Sequence, residues 1–206
     1  MARILGISGS PRRAGTEHAV RVALEAAQEA ARDATVETRF FGVAGKKVNG
    51  CIHCDRCLKE KQGRCPAFDD AFGEFAEAWL WADAYIIGSP VYVMGVTPQL
   101  YSLFSRTRAL NPVISTEQYL RKVGGAVAVG GTRHGGQETT IQAIHNFYLA
   151  RGVMPVGGRP LYGGATVWSR DQGEVGVRDD AEGMEMLRLL GRRVAAQALM
   201  LEWCGR

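Results

Sequence analysis

At 206 residues and 22.4 kDa the chain has the length of one large domain rather than two small ones. Its 46% apolar and 22% charged residues are those of an ordinary globular protein and exclude disordered, collagenous and fibrous classes. The 25 basic against 21 acidic residues leave a net charge of +4 with no long Lys/Arg block, no run approaches the ~18 apolar residues of a membrane span, and the Ile4-Leu5-Gly6-Ile7 stretch is too short for the ~7–15 of a signal-peptide core. A soluble, cytoplasmic protein with neither nucleic acid nor membrane as partner is expected.

Arg3 to Ser8 is a short apolar run ending in a Gly/Ser/Pro turn, which predicts a buried strand. From Thr16 to about Arg32, Ala19, Val20, Ala23, Leu24 and Ala27 recur at helical spacing, with Thr16 as the expected N-cap. Residues 35 to 41 alternate Val36, Thr38 and Phe40 against Glu37 and Arg39, the period of an edge strand with one wet face. Residues 69 to 82 predict a helix whose Trp79 and Trp81 offer apolar surface to another subunit, and a buried strand follows from Ala84. Thr97 to Arg108 reads as a helix with Pro98 in its first turn, Lys122 to Val129 as a glycine-diluted strand, and 137 to 151 as a helix burying Ile141, Ile144 and Tyr148. Val153 to Val156 is a last strand, placed at an edge by Pro155; 158 to 179 reads as irregular. A final helix carries Leu187, Leu190, Val194, Ala198 and Leu201. Strands alternating with helices predict an α/β fold: a doubly wound, five-stranded parallel sheet in the order 2-1-3-4-5, one domain over 1–206, with a cysteine-rich insertion at 49–66 after strand two.

Glycine is the compositional anomaly, at 26 of 206 residues, nearly twice the ~7% average, and it gathers in three loops expected at the carboxyl edge of the sheet. The first, residues 9 to 16 (GSPRRAGT), combines hydroxyls, two arginines and a helix start, which suits a phosphate. It is not a Walker loop, because Gly9 and Gly15 enclose five residues and Thr16 follows where Lys is needed. Nor is it a dinucleotide loop: GxGxxG is absent, and Glu37 lies mid-strand rather than at the carboxyl end. A phosphate monoester is the better match, and an ordinary polar turn is the alternative. The second loop (88–97) and the third (130–138) interleave glycines with Tyr92, Met94, Arg133 and His134. Such a mixture suits a flat heteroaromatic ring, with core packing of Tyr92 and Met94 as the alternative.

Four of the five cysteines, Cys51, Cys54, Cys57 and Cys65, fall within fifteen positions as CxxCxxCx7C followed by Pro66. Two successive CxxC steps and a returning cysteine suit four thiolates around one 4Fe–4S cube, close in spacing to the bacterial ferredoxin run. Structural zinc, which usually pairs two separated CxxC knuckles, and bare redox thiols are the alternatives. Disulfides are disfavoured in a cytosolic chain. His53 is expected to be solvated, and His18, His145 and Cys204 to be packing or surface residues.

SGSPRRAG, SPVYVMGVTPQL and GGQET together resemble the flavodoxin-like, NADPH-dependent FMN reductases, and the added cysteine block is similar to that of the iron-sulfur flavoproteins; the likeness covers roughly residues 3 to 157. The resemblance implies FMN, with Ser10, Arg12, Gly15 and Thr16 at its phosphate, Pro90, Val91, Tyr92, Val93, Met94 and Gly95 along its ring, and Gly131, Thr132, Gly135 and Gly136 on the other rim. It further implies electrons from ferredoxin or NAD(P)H and an acceptor such as an oxygen species or a quinone. No general acid or base is expected, because the flavin carries the chemistry; Tyr92, Arg133 and His134 would tune or position it. Cluster and flavin would be neighbours, within a subunit or across the interface of a homo-oligomer, a dimer or tetramer. Relatives usually place Asn and then Ser or Thr after the loop glycine, where this chain has Thr16 and Glu17. A carboxylate repels a phosphate, so Glu17 is expected to point away or to weaken the site. An FMN or quinone reductase without a cluster, and a zinc-stabilised binding module, are the rival readings.

Overall fold

Apolar strands separated by one-sided helices have to bury both faces of a sheet, and the chain does so. The computed structural model describes residues 1–30 and 35–204, with side chains through 202. Its elements are β1 (Ala2–Ser8), α1 (Gly15–Glu29), β2 (Val36–Gly42), α2 (Arg56–Glu60), α3 (Phe72–Trp81), β3 (Ala84–Pro90), α4 (Pro98–Arg106), a 3-10 turn (Thr107–Leu110), α5 (Thr116–Leu120), β4 (Val123–Gly130), α6 (Gln137–Arg151), β5 (Met154–Val156), β6 (Ala165–Trp168), α7 (Gly173–Arg178) and α8 (Ala181–Cys204). The sheet is parallel in the order β2-β1-β3-β4-β5, with β6 also on β4. This is the flavodoxin-like α/β arrangement, and β1 and β3, in register at Ser8 and Gly88, flank the point where the strand order reverses.

Alternate residues of the central strands feed two cores. Leu5, Ile7, Tyr85, Ile87 and Ala126 pack under α3, α4 and α6, while Ile4, Ile86, Val123 and Val127 pack under α1 and α8. The helical faces expected from spacing are the buried ones: Ala19, Val20, Ala23, Leu24 and Ala27 of α1, Ile141, Ile144 and Tyr148 of α6, and Leu187, Leu190, Val194 and Ala198 of α8. Leu201 is half-buried, His53 is exposed, and His18 and His145 are half-buried on their helices. The side chain of Cys204 lies outside the described residues.

Three expectations need correction. The fifth sheet position is two strands, not one: β5 covers the first half of β4 (Val123–Gly125) and β6 the second (Val127–Gly130). Between them residues 157–164 leave the sheet and return, an excursion rich in glycine and containing Pro160. A four-residue strand inside that glycine-rich stretch has too little periodicity to stand out. Second, Thr16 is not the N-cap of α1. Ala14 occupies that position, and no side chain caps the helix. Third, Trp79 is not surface. It is fully buried, stacked on Tyr85 at 3.8 Å and tilted against Phe75 and Phe147. Trp81 is half-buried, with the guanidinium of Arg39 at 4.1 Å over its ring.

Candidate functional site

The loops leaving β1, β3, β4 and β6 meet at the carboxyl edge. A cleft there is lined by Ser10, Arg12, Ala14, Gly15, Thr16, Pro90, Val91, Tyr92, Val129, Gly131, Ser169, Asp171 and Gly173. It therefore gathers all four residues expected at the phosphate, three from the second loop and one from the third.

Anion chemistry follows from what the first loop leaves unpaired. Because α1 starts without a side-chain cap, its first-turn N–H groups and positive dipole end are left for a ligand. Ser10 is buried and its hydroxyl accepts the N–H of Arg12 at 3.1 Å, which tightens the loop. Among the described residues Arg12 meets no carboxylate within ion-pair distance, so its charge is free for an anion. Glu17 does not oppose this: its carboxylate takes Arg21 at 2.8 Å and lines a separate groove with Arg13 and Arg21.

The second loop carries the strain. Tyr92 and Gly95 exchange backbone hydrogen bonds of 2.9 and 3.0 Å, and the two residues between them, Val93 and Met94, hold left-handed φ values of 48° and 61°. Each such non-glycine residue costs about 1–2 kcal/mol, most plainly at β-branched Val93. Surrounding structure has to hold it there, and strain of this kind concentrates at ligand sites. Thr139 of α6 donates to the Met94 carbonyl at 2.6 Å. Gly136 (φ 106°) lies so close that a Cβ there would come 2.7 Å from the Met94 Cα. Val93 is fully exposed and Met94 is 60% exposed, so the strained turn holds apolar side chains out to solvent beside the cleft.

Hydrogen bonds run around the whole rim. The buried Thr97 hydroxyl donates to the Gly9 carbonyl at 2.6 Å, joining the first and second loops, and accepts the Leu100 N–H at 3.3 Å as the cap of α4. Buried Gln137 braces the third loop, its side-chain carbonyl accepting the Gly135 N–H at 3.0 Å and its amide donating to the Thr132 carbonyl. Ser169 N–H donates to the Gly130 carbonyl at 2.8 Å and Trp168 Nε1 to that of Gly131 at 2.9 Å. Val93, Met94, Gly95, Thr132, Gly135 and Gly136 thus form an adjoining rim rather than the cleft wall. Arg133 turns away, lying over Trp168 at 4.6 Å and toward Asp180 at 3.7 Å; with His134 it lines a neighbouring pocket. Ala14 and Val129, beside expected residues, and Ser169, Asp171 and Gly173, on a stretch read as irregular, are the lining residues missed in the sequence. The one signal for the last three was the small and acidic residues clustered after an apolar ATVW run.

The cysteine segment is built differently. His53, Asp55, Lys61 and Gly63 all take left-handed backbone, and α2 is a single short helix between two of them. Cys51, Cys54, Cys57 and Cys65 are free thiols; the first two are exposed, the others half-buried against the core under α3 and α4. Burial pushes the Cys57 thiol up, the neighbouring Cys65 and Cys51 push the same way, and Arg108 opposes them. Among the described residues no three His, Cys, Asp or Glu side chains converge tightly enough for a single ion, whose thiolate ligands would each sit ~2.3 Å from it. Four free thiols on one segment are the donor type that an anionic iron-sulfur cluster takes. The segment leans on α4 and the 3-10 turn after it: Cys51 N–H donates to Ser105 Oγ of α4 at 3.1 Å, and Arg108 of the turn pairs with Asp55. None of Cys51, Cys54, Cys57 and Cys65 lines the switch-point cleft.

A model of the NADPH-dependent FMN reductase family matches residues 2–165. An iron-sulfur flavoprotein of Methanocaldococcus jannaschii is 46% identical over 189 residues, covering 90% of this chain and 91% of that protein. Another, of Archaeoglobus fulgidus, is 45% identical over 202 residues, covering 97% and 98%. A flavodoxin, WrbA-like protein from Agrobacterium tumefaciens superposes with a TM-score of 0.65 at 19% identity over 97% of this chain and 99% of its own, a likeness of fold. An uncapped helix at a switch-point cleft, matched by near-full-length flavoprotein relatives, marks a flavin-dependent oxidoreductase, and the chain belongs to the NADPH-dependent FMN reductase family alongside the iron-sulfur flavoproteins.

Proposed function

We propose that this flavoprotein carries FMN together with a 4Fe–4S cluster and passes electrons from ferredoxin or NAD(P)H to an acceptor such as an oxygen species or a quinone. The observation that carries the reading is the set of four free thiols on one fastened segment, in a chain whose switch-point cleft joins an uncapped helix start to Arg12. Ser10, Arg12, Gly15 and Thr16 would hold the FMN phosphate through hydroxyl, guanidinium and backbone N–H groups. Pro90, Val91, Tyr92, Val93, Met94 and Gly95 would lie along the ring, with Gly131, Thr132, Gly135 and Gly136 closing the far rim. Cys51, Cys54, Cys57 and Cys65 would ligate the cluster. When bound, the flavin exchanges electron pairs or single electrons and the cluster one at a time, so together they join two-electron to one-electron donors.

The protein's own part is to bind, orient and shield. The strained Tyr92–Gly95 turn presents backbone and apolar side chains at one place, and Thr139 and Gly136 keep it there. Exposed apolar Val93 and Met94 beside the cleft favour a second copy of the chain as their cover, which supports a homo-oligomer. Free thiols support a reducing compartment such as the cytoplasm, and no helix among the described residues is long and apolar enough to cross a membrane. Residues 1–206 would form a single flavodoxin-like unit.

The test is anaerobic purification followed by absorption spectra before and after dithionite, with iron, sulfide and FMN assayed per chain. About four irons and four sulfides with one FMN support the proposal. Zinc with FMN leaves a reductase without a cluster, and failure to take up FMN leaves a binding module. Bleaching by NADPH alone, against bleaching only by reduced ferredoxin, separates the donors.

A further inference from the structure

The cysteine segment has an anchor outside itself. Asp70 and Arg106 form an ion pair at 2.6 Å whose side chains are 0% and 1% exposed. The Asp70 carboxylate also accepts the Asn49 N–H at 2.9 Å, the Asn49 side-chain amide at 2.8 Å and the Phe72 N–H at 3.2 Å. Arg106 Nη1 donates in addition to the Asn49 carbonyl at 3.3 Å, and its guanidinium lies 4.4 Å from the Phe72 ring centre. Asn49 stands two residues before Cys51, and Asp70 five after Cys65. One buried pair thus ties together the chain entering and the chain leaving the cysteine segment, and fixes both to α4.

Stability alone is a poor explanation for this arrangement. Burying two charges is costly, and an apolar pair of equal volume often serves the fold as well or better. Arg106 Nε is even left buried without a partner. What an apolar pair cannot supply is the set of directed bonds to Asn49, which close the segment in one register and remove the loop-closure entropy of its ends. Neither Asp70 nor Arg106 has a recorded bond to a cysteine.

We propose that Asp70 and Arg106 are positioning residues for the four thiols, closing the segment so that Cys51, Cys54, Cys57 and Cys65 are presented as one ligand set. The proposal rests on the cluster reading above. Loss of a partner bonded directly to a metal ligand typically weakens metal retention by roughly 10- to 100-fold, and a pair acting one step further out, through Asn49, belongs at the low end of that range.

The test compares the parent protein with Asp70→Leu/Arg106→Met, which removes both charges at similar volume, and with Asp70→Asn, which strands the guanidinium and loses stability. Expected for the double variant are an unchanged cooperative melt and FMN affinity, iron and sulfide released at roughly tenfold lower chelator concentration, and faster thiol labelling of Cys57 and Cys65 in the cluster-free protein. Unaltered chelator resistance and labelling in a folded double variant would overturn the proposal. Should the double variant not fold, Arg106→Lys decides: it keeps the charge but on a shorter side chain that does not reach the Nη1 position from which Asp70 and Asn49 are both bonded, and unaltered labelling there counts against the clamp. A parent protein without iron or sulfide refutes the cluster reading instead, and the labelling rates still decide whether the pair positions the thiols.

Discussion

The flavin rim and the cysteine segment lie in the same chain but are held by different physics. Around the rim nearly every tie is a neutral hydrogen bond from backbone or hydroxyl, Thr97 to Gly9, Thr139 to Met94 and Ser169 to Gly130. The cysteine segment is held by charge, Arg106 on Asp70 at its ends and Arg108 on Asp55 in its middle. Short neutral bonds among loops that each follow a strand give a preformed, shape-defined cradle whose strain the sheet can support. A long insertion without a strand beneath it has few such ties, and two arginines from α4 and the 3-10 turn provide them. The rim should therefore fail by steric change and the segment by loss of charge.

Gly136→Val should be the most damaging rim change, since it places a Cβ against Met94 and demands a left-handed φ. FMN affinity should fall by about 2 kcal/mol, roughly thirtyfold, with chelator resistance of the iron unchanged. Fluorescence titration of FMN checks the first and iron release the second; equal losses in both would merge the two regions. Thr97→Val keeps the shape but strands the Gly9 carbonyl, while the Leu100 N–H keeps its bond to the residue-97 carbonyl; the cost should be about 1 kcal/mol, roughly fivefold in FMN dissociation constant.

Acid should act on the other region. Burial pushes the Asp70 carboxyl up, but hydrogen bonds from Arg106, Asn49 and Phe72 outweigh it and bring the pKa from 3.8 to about 2. The folded value lies below the unfolded one, so the stabilisation is complete above pH ~4 and is lost as pH falls toward 2. Urea midpoints between pH 5 and 2.5 should fall more steeply for the parent than for Asp70→Leu/Arg106→Met. The smallest effect is expected for Glu17→Gln. A carboxylate engaged with Arg21 away from the cleft should change FMN affinity less than about twofold, and a large gain would mean that Glu17 opposes the phosphate after all.

What could be read from sequence divides along the same line. Periodicity reports burial, so the strand order, the buried faces of α1, α6 and α8, and the three glycine loops were all legible. Contacts between distant residues leave no such trace. Asp70 and Arg106 are 36 residues apart, and neither belongs to a recognisable motif. β6 and the Ser169–Gly173 stretch were missed for a related reason: four strand residues after a run of glycines give too short a pattern, although the cleft needs them. Trp79 was misplaced because two tryptophans two positions apart on a helix face opposite ways, and spacing alone does not say which side meets the sheet.

The divided fifth position of the sheet also bears on how copies of the chain can meet. Open sheet margins tend to template further strands, a route to runaway self-association. Here one margin offers only a three-residue and a four-residue strand parted by a glycine-rich detour, and the other, β2, exposes Glu37 and Arg39. Neither gives a long, flat ladder for an incoming chain to extend. An oligomer of the kind proposed above would have to form through helix sides and loop tips, where the apolar Val93 and Met94 stand beside the cleft.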